Sequence, residues 1–313
     1  MKRRIIIDTD PGQDDAVAIL LALASPEELD VLGIVAVAGN VPLGQTERNA
    51  RRIVELAGRI EVPVFAGCSR PLMRPLVTAE HVHGRTGLDG ADLPEPTIAL
   101  QAKHGVDFIV DTLLSAELGS VTLCTLGPLT DIAMAFAKAP EIARGIREIV
   151  MMGGAYFEVG NITPSAEFNI YVDPEAAHAV MTSGVPITMA PLDLTHRVLT
   201  TNERLAAVAA IGNRTGEAVR GLLGFSERFD LAKYGSLGAP LHDPTVIAYL
   251  LKPELFTGKT INVSIETSSM LTLGMTVADW WQITDRPRNV HFLREADDAG
   301  FYALLTERLA RLP

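Results

Sequence analysis

Four carboxylates, Asp8, Asp10, Asp14 and Asp15, fall within eight residues of the opening segment RRIIIDTDPGQDDAVAILLAL. Like charges this close repel one another unless a cation or a proton neutralises them. One acid near a helix start is accounted for by the macrodipole, but four exceed what a single helix start can use. The candidate ligands are all oxygens, with no His or Cys beside them, which points to a hard cation such as Ca²⁺ or Mg²⁺ rather than zinc. Gly12 permits a sharp turn between the two acid pairs and Pro11 stiffens it. Ca²⁺ takes about six to eight oxygens, so further ligands must come from distant parts of the chain. Asp243, beside His242 in PLHDP (240–244), is one candidate.

The elements that must position these groups are legible from the apolar pattern. Strands are predicted over 4–8, 29–36, 62–66, 121–126, 148–152 and 186–190, alternating with helices over 14–24, 44–57, 106–116, 129–137 and 174–182. Near-continuous apolar strands separated by helices imply an α/β fold with an open, mostly parallel central sheet and helices on both faces, doubly wound and Rossmann-like. Farther on, 201–234 reads as one or two helices and 243–251 as another. A late strand over 259–267 is expected in a hairpin with 274–280, and a strand at 289–293 and a helix over 299–312 close the chain. With no linker or repeat, a single domain over 1–313 is expected. Open α/β sheets bind ligands beyond the carboxyl ends of their strands. That rule brings Asp8, Asp10, Asn40, Leu126 to Pro128, Met152 to Gly154, and Asp193 towards one cleft.

Composition narrows the partners. A formal charge of −11 with scattered Lys and Arg argues against nucleic acid. No apolar run approaches the roughly 18–20 residues of a membrane span, and Asp8 interrupts the signal-like start MKRRIII. Cys68 and Cys124 lie far apart without metal-like spacing, which suits a reduced, cytoplasmic protein. A dinucleotide site would carry G-x-G-x-x-G at the first turn, where this chain has carboxylates that repel phosphate.

The motifs DTDPGQDDA, HGRTGL, TLGPLTDIA, MMGGAYFEVGNITPSAEFN and PLHDP, in that order, resemble the inosine–uridine-type nucleoside hydrolases. The resemblance implies one α/β domain, a tightly bound Ca²⁺, hydrolysis of the N-glycosidic bond of a small-molecule ribonucleoside, and a homodimer or homotetramer. Carried over position by position, it gives Asp10, Asp15, Asp243 and the Leu126 carbonyl as metal ligands, with Asp10 also the general base. Asp14, Asn40, Asn161, Glu167 and Asn169 match the positions that grip the ribose. Met152 and Phe168 fall in the same substrate-contacting segments, and His83 and His242 match the histidines near the base. His242 is the expected proton donor to the leaving group, since histidine titrates nearest neutrality. His104, His178, His196 and His291 are read as structural, and His81 as facing solvent.

The base should be met by Ser226, Asp230 and Tyr234, where pyrimidine-preferring relatives carry Thr, Gln and Tyr. Asp230 departs from that pattern, because a carboxylate cannot donate to a pyrimidine carbonyl as an amide can. Trp280 and Trp281 sit too late in the chain to stack a purine. The expectation is therefore a pyrimidine-preferring or broad enzyme. Two rivals are a phosphatase of the haloacid-dehalogenase type, whose D-x-D motif DTD satisfies, and a non-catalytic metal- or ligand-binding module.

Overall fold

Strand alternation is visible in the first apolar run. Ile5 and Ile7 pack into one buried cluster and Ile6 into another, because successive side chains of a strand point to opposite faces. The computed structural model describes residues 2–234 and 237–313, the side chains of 227–234 excepted. Its strands are β1 Arg3–Thr9, β2 Leu29–Ala36, β3 Val64–Ala66, β4 Val121–Thr125, β5 Ile146–Met152, β6 Ile187–Ala190, β7 Leu199–Thr200, β8 Ala239–Pro240, β9 Phe256–Ile261, β10 Val263–Ile265, β11 Thr276–Ala278 and β12 Val290–Ala296. Among the described residues, eight of them form the central sheet in the order β3-β2-β1-β4-β5-β6-β12-β9. All neighbours are parallel except β9, which runs antiparallel to β12 at one edge.

The order matters for the site. The chain builds outward from β1 to β2 and β3, then returns to lay β4 against the other side of β1. Connections leave in opposite directions from the ends of β1 and β4, and the crevice this opens is the usual ligand address of such sheets. Asp10 follows β1 and Leu126 follows β4 at that point.

Helix α1 (Gln13–Leu23) starts directly after the acidic turn and is almost wholly buried. Its run AVAILLAL has no polar face because the sheet covers one side while helices Arg214–Tyr234 and Pro244–Leu251 cover others. One predicted feature needs correction. The late strand divides at Asn262: β9 joins the central sheet, whereas β10 pairs antiparallel with β11. The side chain of Asn289 causes the break, accepting from Val263 N at 2.8 Å and donating to Val263 O at 2.9 Å. The region 201–234 is two helices, Asn202–Ala209 and Arg214–Tyr234, separated by a turn at Gly212.

Candidate active site

The acidic turn is held by its neighbours in a specific shape. Thr9 Oγ1 donates to Asp15 Oδ1 at 2.5 Å, and Gly12 N donates to Asp15 Oδ2 at 3.0 Å. Asn40, from the loop after β2, donates its backbone N–H to Asp10 Oδ2 at 2.6 Å. Its side-chain amide reaches Asp10 O at 3.2 Å and Asp15 Oδ2 at 3.1 Å. Glycine is required at two places around Asp10, since a side chain on Gly39 or Gly127 would collide with its carboxylate. Asp10 is fully buried, and its Oδ1 has no hydrogen-bond partner among the described residues.

Asp14, Asp15 and Asp243 each offer an oxygen within 4.8 Å of the others, an arrangement that could hold a metal ion. Asp243 arrives at the N-cap of helix Pro244–Leu251, which packs on α1. Burial, and next the Asp15 charge, push the Asp10 carboxyl well above the usual carboxylate range. Burial and the charges of Asp14, Asp15 and Asp10 do the same to Asp243, and burial raises Asp14 and Asp15. No Lys or Arg lies among the described residues that line this cleft. Buried acids without a counter-cation from the protein, all offering oxygen, suit a hard divalent ion.

The acids floor a cleft of about 890 Å³, its open mouth included, a size ordinary for a small-molecule site. Asp14, Asn40, His83, Leu126, Met152, Asn161, Glu167, Phe168, Asn169, Ser226, His242 and Asp243 all line it. The sequence expectations thus converge on one cavity, with Asp10 and Asp15 directly behind its floor. The side chains of Asp230 and Tyr234 lie outside the described residues. Asp14 sits with the metal-competent carboxylates as well as at the cleft surface, closer to the acid group than its expected ribose role suggested.

The opposite wall is tied down by the segment after β5. Gly154 has φ +87, a left-handed conformation that suits glycine, and its N–H donates to Glu167 Oε2 at 3.0 Å. Glu167 also caps helix Phe168–Val172, accepting from Asn169 N at 2.9 Å and Ile170 N at 3.3 Å. Burial pushes its carboxyl up. Asn161 Oδ1 accepts from Phe168 N at 2.8 Å. Asn169 Nδ2 donates to the Leu126 carbonyl at 2.7 Å, leaving that carbonyl a second lone pair.

Asp193 is a correction. It does not line the cleft but accepts the backbone N–H groups of Tyr156, Phe157 and Glu158 at 2.9, 2.6 and 3.1 Å, so it shapes the loop leading to Asn161. His81, expected in solvent, is exposed and also lines the cleft. His83 ends a short helix Glu80–His83 that packs over the acidic turn. Burial holds its imidazole down at about 4, so it is neutral at pH 7. His242 Nδ1 lies 2.7 Å from the hydroxyl of buried Thr195. Thr195 carried no signal in the sequence, because its partner His242 lies 47 residues away.

The comparisons with known proteins agree with this geometry. The family model described as "Inosine-uridine preferring nucleoside hydrolase" matches residues 5–303. An uncharacterized Schizosaccharomyces pombe protein is 54% identical over 310 residues, covering 99% of this chain and 100% of its own. A pyrimidine-specific ribonucleoside hydrolase, RihA, from Photobacterium profundum is 49% identical over 311 residues, 99% of each chain. Among solved structures, a purine-preferring ribonucleoside hydrolase from Gardnerella vaginalis superposes with a TM-score of 0.91 at 31% identity, covering 98% of both chains. These matches set aside the phosphatase and binding-module readings. The chain belongs to the inosine–uridine preferring nucleoside hydrolase family, enzymes that cleave the N-glycosyl bond of ribonucleosides.

Proposed function

We propose that the chain hydrolyses pyrimidine ribonucleosides in preference to purine ones, using Ca²⁺ held by Asp10, Asp15, Asp243 and the Leu126 carbonyl, with Asp14 alongside. The observation that carries the metal reading is the group of buried and half-buried, oxygen-only carboxylates at the cleft floor with no Lys or Arg among the described lining. The pyrimidine preference is supported by the relative named pyrimidine-specific at 49% identity. It is also supported by the aromatic side chains that line the cleft: Phe168 does, whereas Trp280 packs against Phe157 and Phe292 away from it.

Cleavage of a ribosyl–base bond passes through an oxocarbenium-like state, and the residues divide its needs. Bound Ca²⁺ supplies Lewis acidity and a template that orients water and sugar. Asp10, through its unpartnered Oδ1, takes the proton of the attacking water. Asp14, Asn40, Asn161, Glu167 and Asn169 hold the ribose hydroxyls, and their oxygens favour positive charge developing on the sugar. His242 gives a proton to the departing base, with Thr195 steadying its ring. Ser226, from helix Arg214–Tyr234, lines the cleft and meets the base.

Purified protein incubated with uridine, cytidine, inosine and guanosine, with the released base quantified by chromatography, tests this. Faster release of uracil and cytosine, with calcium found in the protein by elemental analysis, is the expected result. Faster hypoxanthine release would overturn the base preference, and a stoichiometric transition metal would overturn the calcium assignment.

A further inference from the structure

The side chain of Gln13 fixes which ring nitrogen of His83 carries its proton. Gln13 is fully buried at the first turn of α1. Its Nε2 donates to two backbone carbonyls, His83 O at 2.9 Å and Asp89 O at 3.1 Å. Carbonyls only accept, so the amide nitrogen must face them, and the amide oxygen must face the other way. That oxygen lies 2.6 Å from His83 Nδ1. Two acceptors cannot form this contact, so Nδ1 bears the hydrogen and donates it. A neutral imidazole has one N–H, which leaves Nε2 with a bare lone pair. The ring cannot easily turn to escape this arrangement: it lies so close against the acidic turn that a Cβ on Gly12 would come within 2.5 Å of Nδ1.

We propose that Gln13 is a positioning residue that locks His83 in the Nδ1–H tautomer, so that His83 meets the ribonucleoside as a hydrogen-bond acceptor and not as a proton donor to the leaving base. The inference rests on the ribonucleoside occupying the cleft that His83 lines. The partner of Nε2 is then an O–H or N–H of the substrate, either a ribose hydroxyl or the imide N–H of a pyrimidine. The two cleft histidines are divided accordingly, with proton delivery left to His242. Gln13 also stitches the His83 to Asp89 segment to α1, so it sets the position of the ring as well as its tautomer.

Two measurements decide it. In the calcium-loaded protein labelled with ¹⁵N-histidine, long-range proton–nitrogen correlation should show His83 with a protonated Nδ1 and a bare Nε2, and Gln13→Leu should lose that pattern. A wild-type His83 protonated on Nε2 overturns the proposal, whether or not any nucleoside is cleaved. Failure of the functional reading would show instead as no base release by the wild type. In kinetics with uridine, Gln13→Leu should raise KM about 10-fold, one hydrogen bond's worth, with kcat changed less than about threefold. The three monodeoxyuridines and 3-methyluridine locate the donor, because the Gln13→Leu penalty should vanish for the one analogue that lacks it. Loss at the 3-methyl analogue identifies the imide, and loss at a deoxy analogue identifies that hydroxyl. An equal penalty on all substrates means a packing role only and overturns the proposal. Gln13→Met, which keeps the bulk, should behave as Gln13→Leu does; wild-type kinetics in it would overturn the proposal too.

Discussion

Two groups of buried acids lie back to back at the end of β1, and they solve the problem of crowded charge differently. The front group, Asp10, Asp14, Asp15 and Asp243, borders the cleft. The rear group, Asp8, Asp131 and Asp173, lies among the helices of the other face and contributes nothing to the cleft lining. In the rear group much of the charge is absorbed by hydrogen bonds. Asp173 accepts from Leu72 N at 2.8 Å, Thr130 Oγ1 at 2.7 Å and Ala176 N at 3.1 Å, and Asp131 accepts from Cys68 N at 2.7 Å. Asp8 faces Asp131, and burial together with that neighbour holds its carboxyl well above the usual range. Such surroundings favour the protonated form of a carboxyl. The front group accepts four donors as well, from Thr9 Oγ1, Gly12 N, Asn40 N and Asn40 Nδ2, but it has an open face, so a divalent ion can take the place of protons. Acid density is common to both; access to solvent and ligand separates them.

The sharpest way to break this comparison is to remove one charge from the front. Asp10→Asn keeps the shape of the side chain but removes both a ligand and the proposed base. It should lower kcat/KM for uridine on the order of 10³-fold. The circular dichroism spectrum should be unchanged, because the substitution also relieves repulsion. Activity within tenfold of wild type would show that Asp10 is not the base.

His242→Ala comes next and tests whether the front group works with a proton donor. Loss should reach about 10²-fold with uridine, whose base leaves poorly, yet stay below about fivefold with p-nitrophenyl riboside, whose leaving group needs no proton. Equal losses on both substrates would remove His242 from that role and point to its packing against Thr195 instead.

The third effect is on stability and has a definite sign with pH. The carboxyls of Asp10, Asp14, Asp15 and Asp243 are all raised in the folded protein. Their unfolded value is about 4. Without metal they therefore favour the folded state fully below about pH 4, and that contribution fades as pH rises through their folded values. Calcium binds the deprotonated forms, so its stabilisation grows over the same range. Protein stripped by chelator at acid pH, where protons displace the ion, should show a calcium-dependent rise in Tm that widens from pH 5 to pH 8 in scanning fluorimetry. A constant or narrowing gap would mean that the ion sits elsewhere.

What the sequence could reveal follows from the same contrast. The alternation of apolar runs and helices gave the parallel order, since buried strands and covering helices leave strong periodic signals. The cleft residues after β1, β2, β4 and β5 were legible because strand ends share one side of the sheet. Spacing alone could not tell Asp8 from Asp10, though they stand two residues apart. Asp8 shares a face with Ile6 and so turns towards Asp131, whereas Asp10 lies beyond the strand and follows the turn into the cleft side. Asp193 is misplaced for a related reason: its strand end is correct, but its carboxylate is taken up by three backbone N–H groups and does not line the cleft. Gln13 and Thr195 were invisible because their partners lie 70 and 47 residues away in sequence.

The smallest expected effect is also the most discriminating, since it repeats the first substitution two residues earlier. Asp8→Asn replaces a carboxyl that burial and Asp131 hold well above the usual range with a neutral amide of the same shape, whose N–H can donate towards Asp131. No cleft contact and no metal ligand is lost. The variant should keep kcat/KM for uridine within about threefold and shift Tm by less than about 4 °C, with calcium content unchanged. Asp8→Ala should cost more, because it leaves a void and strips Asp131 of its neighbour in a site closed to water. If Asp8→Asn instead abolished calcium binding, the two acid groups would be a single site, and the division drawn at the end of β1 would fail.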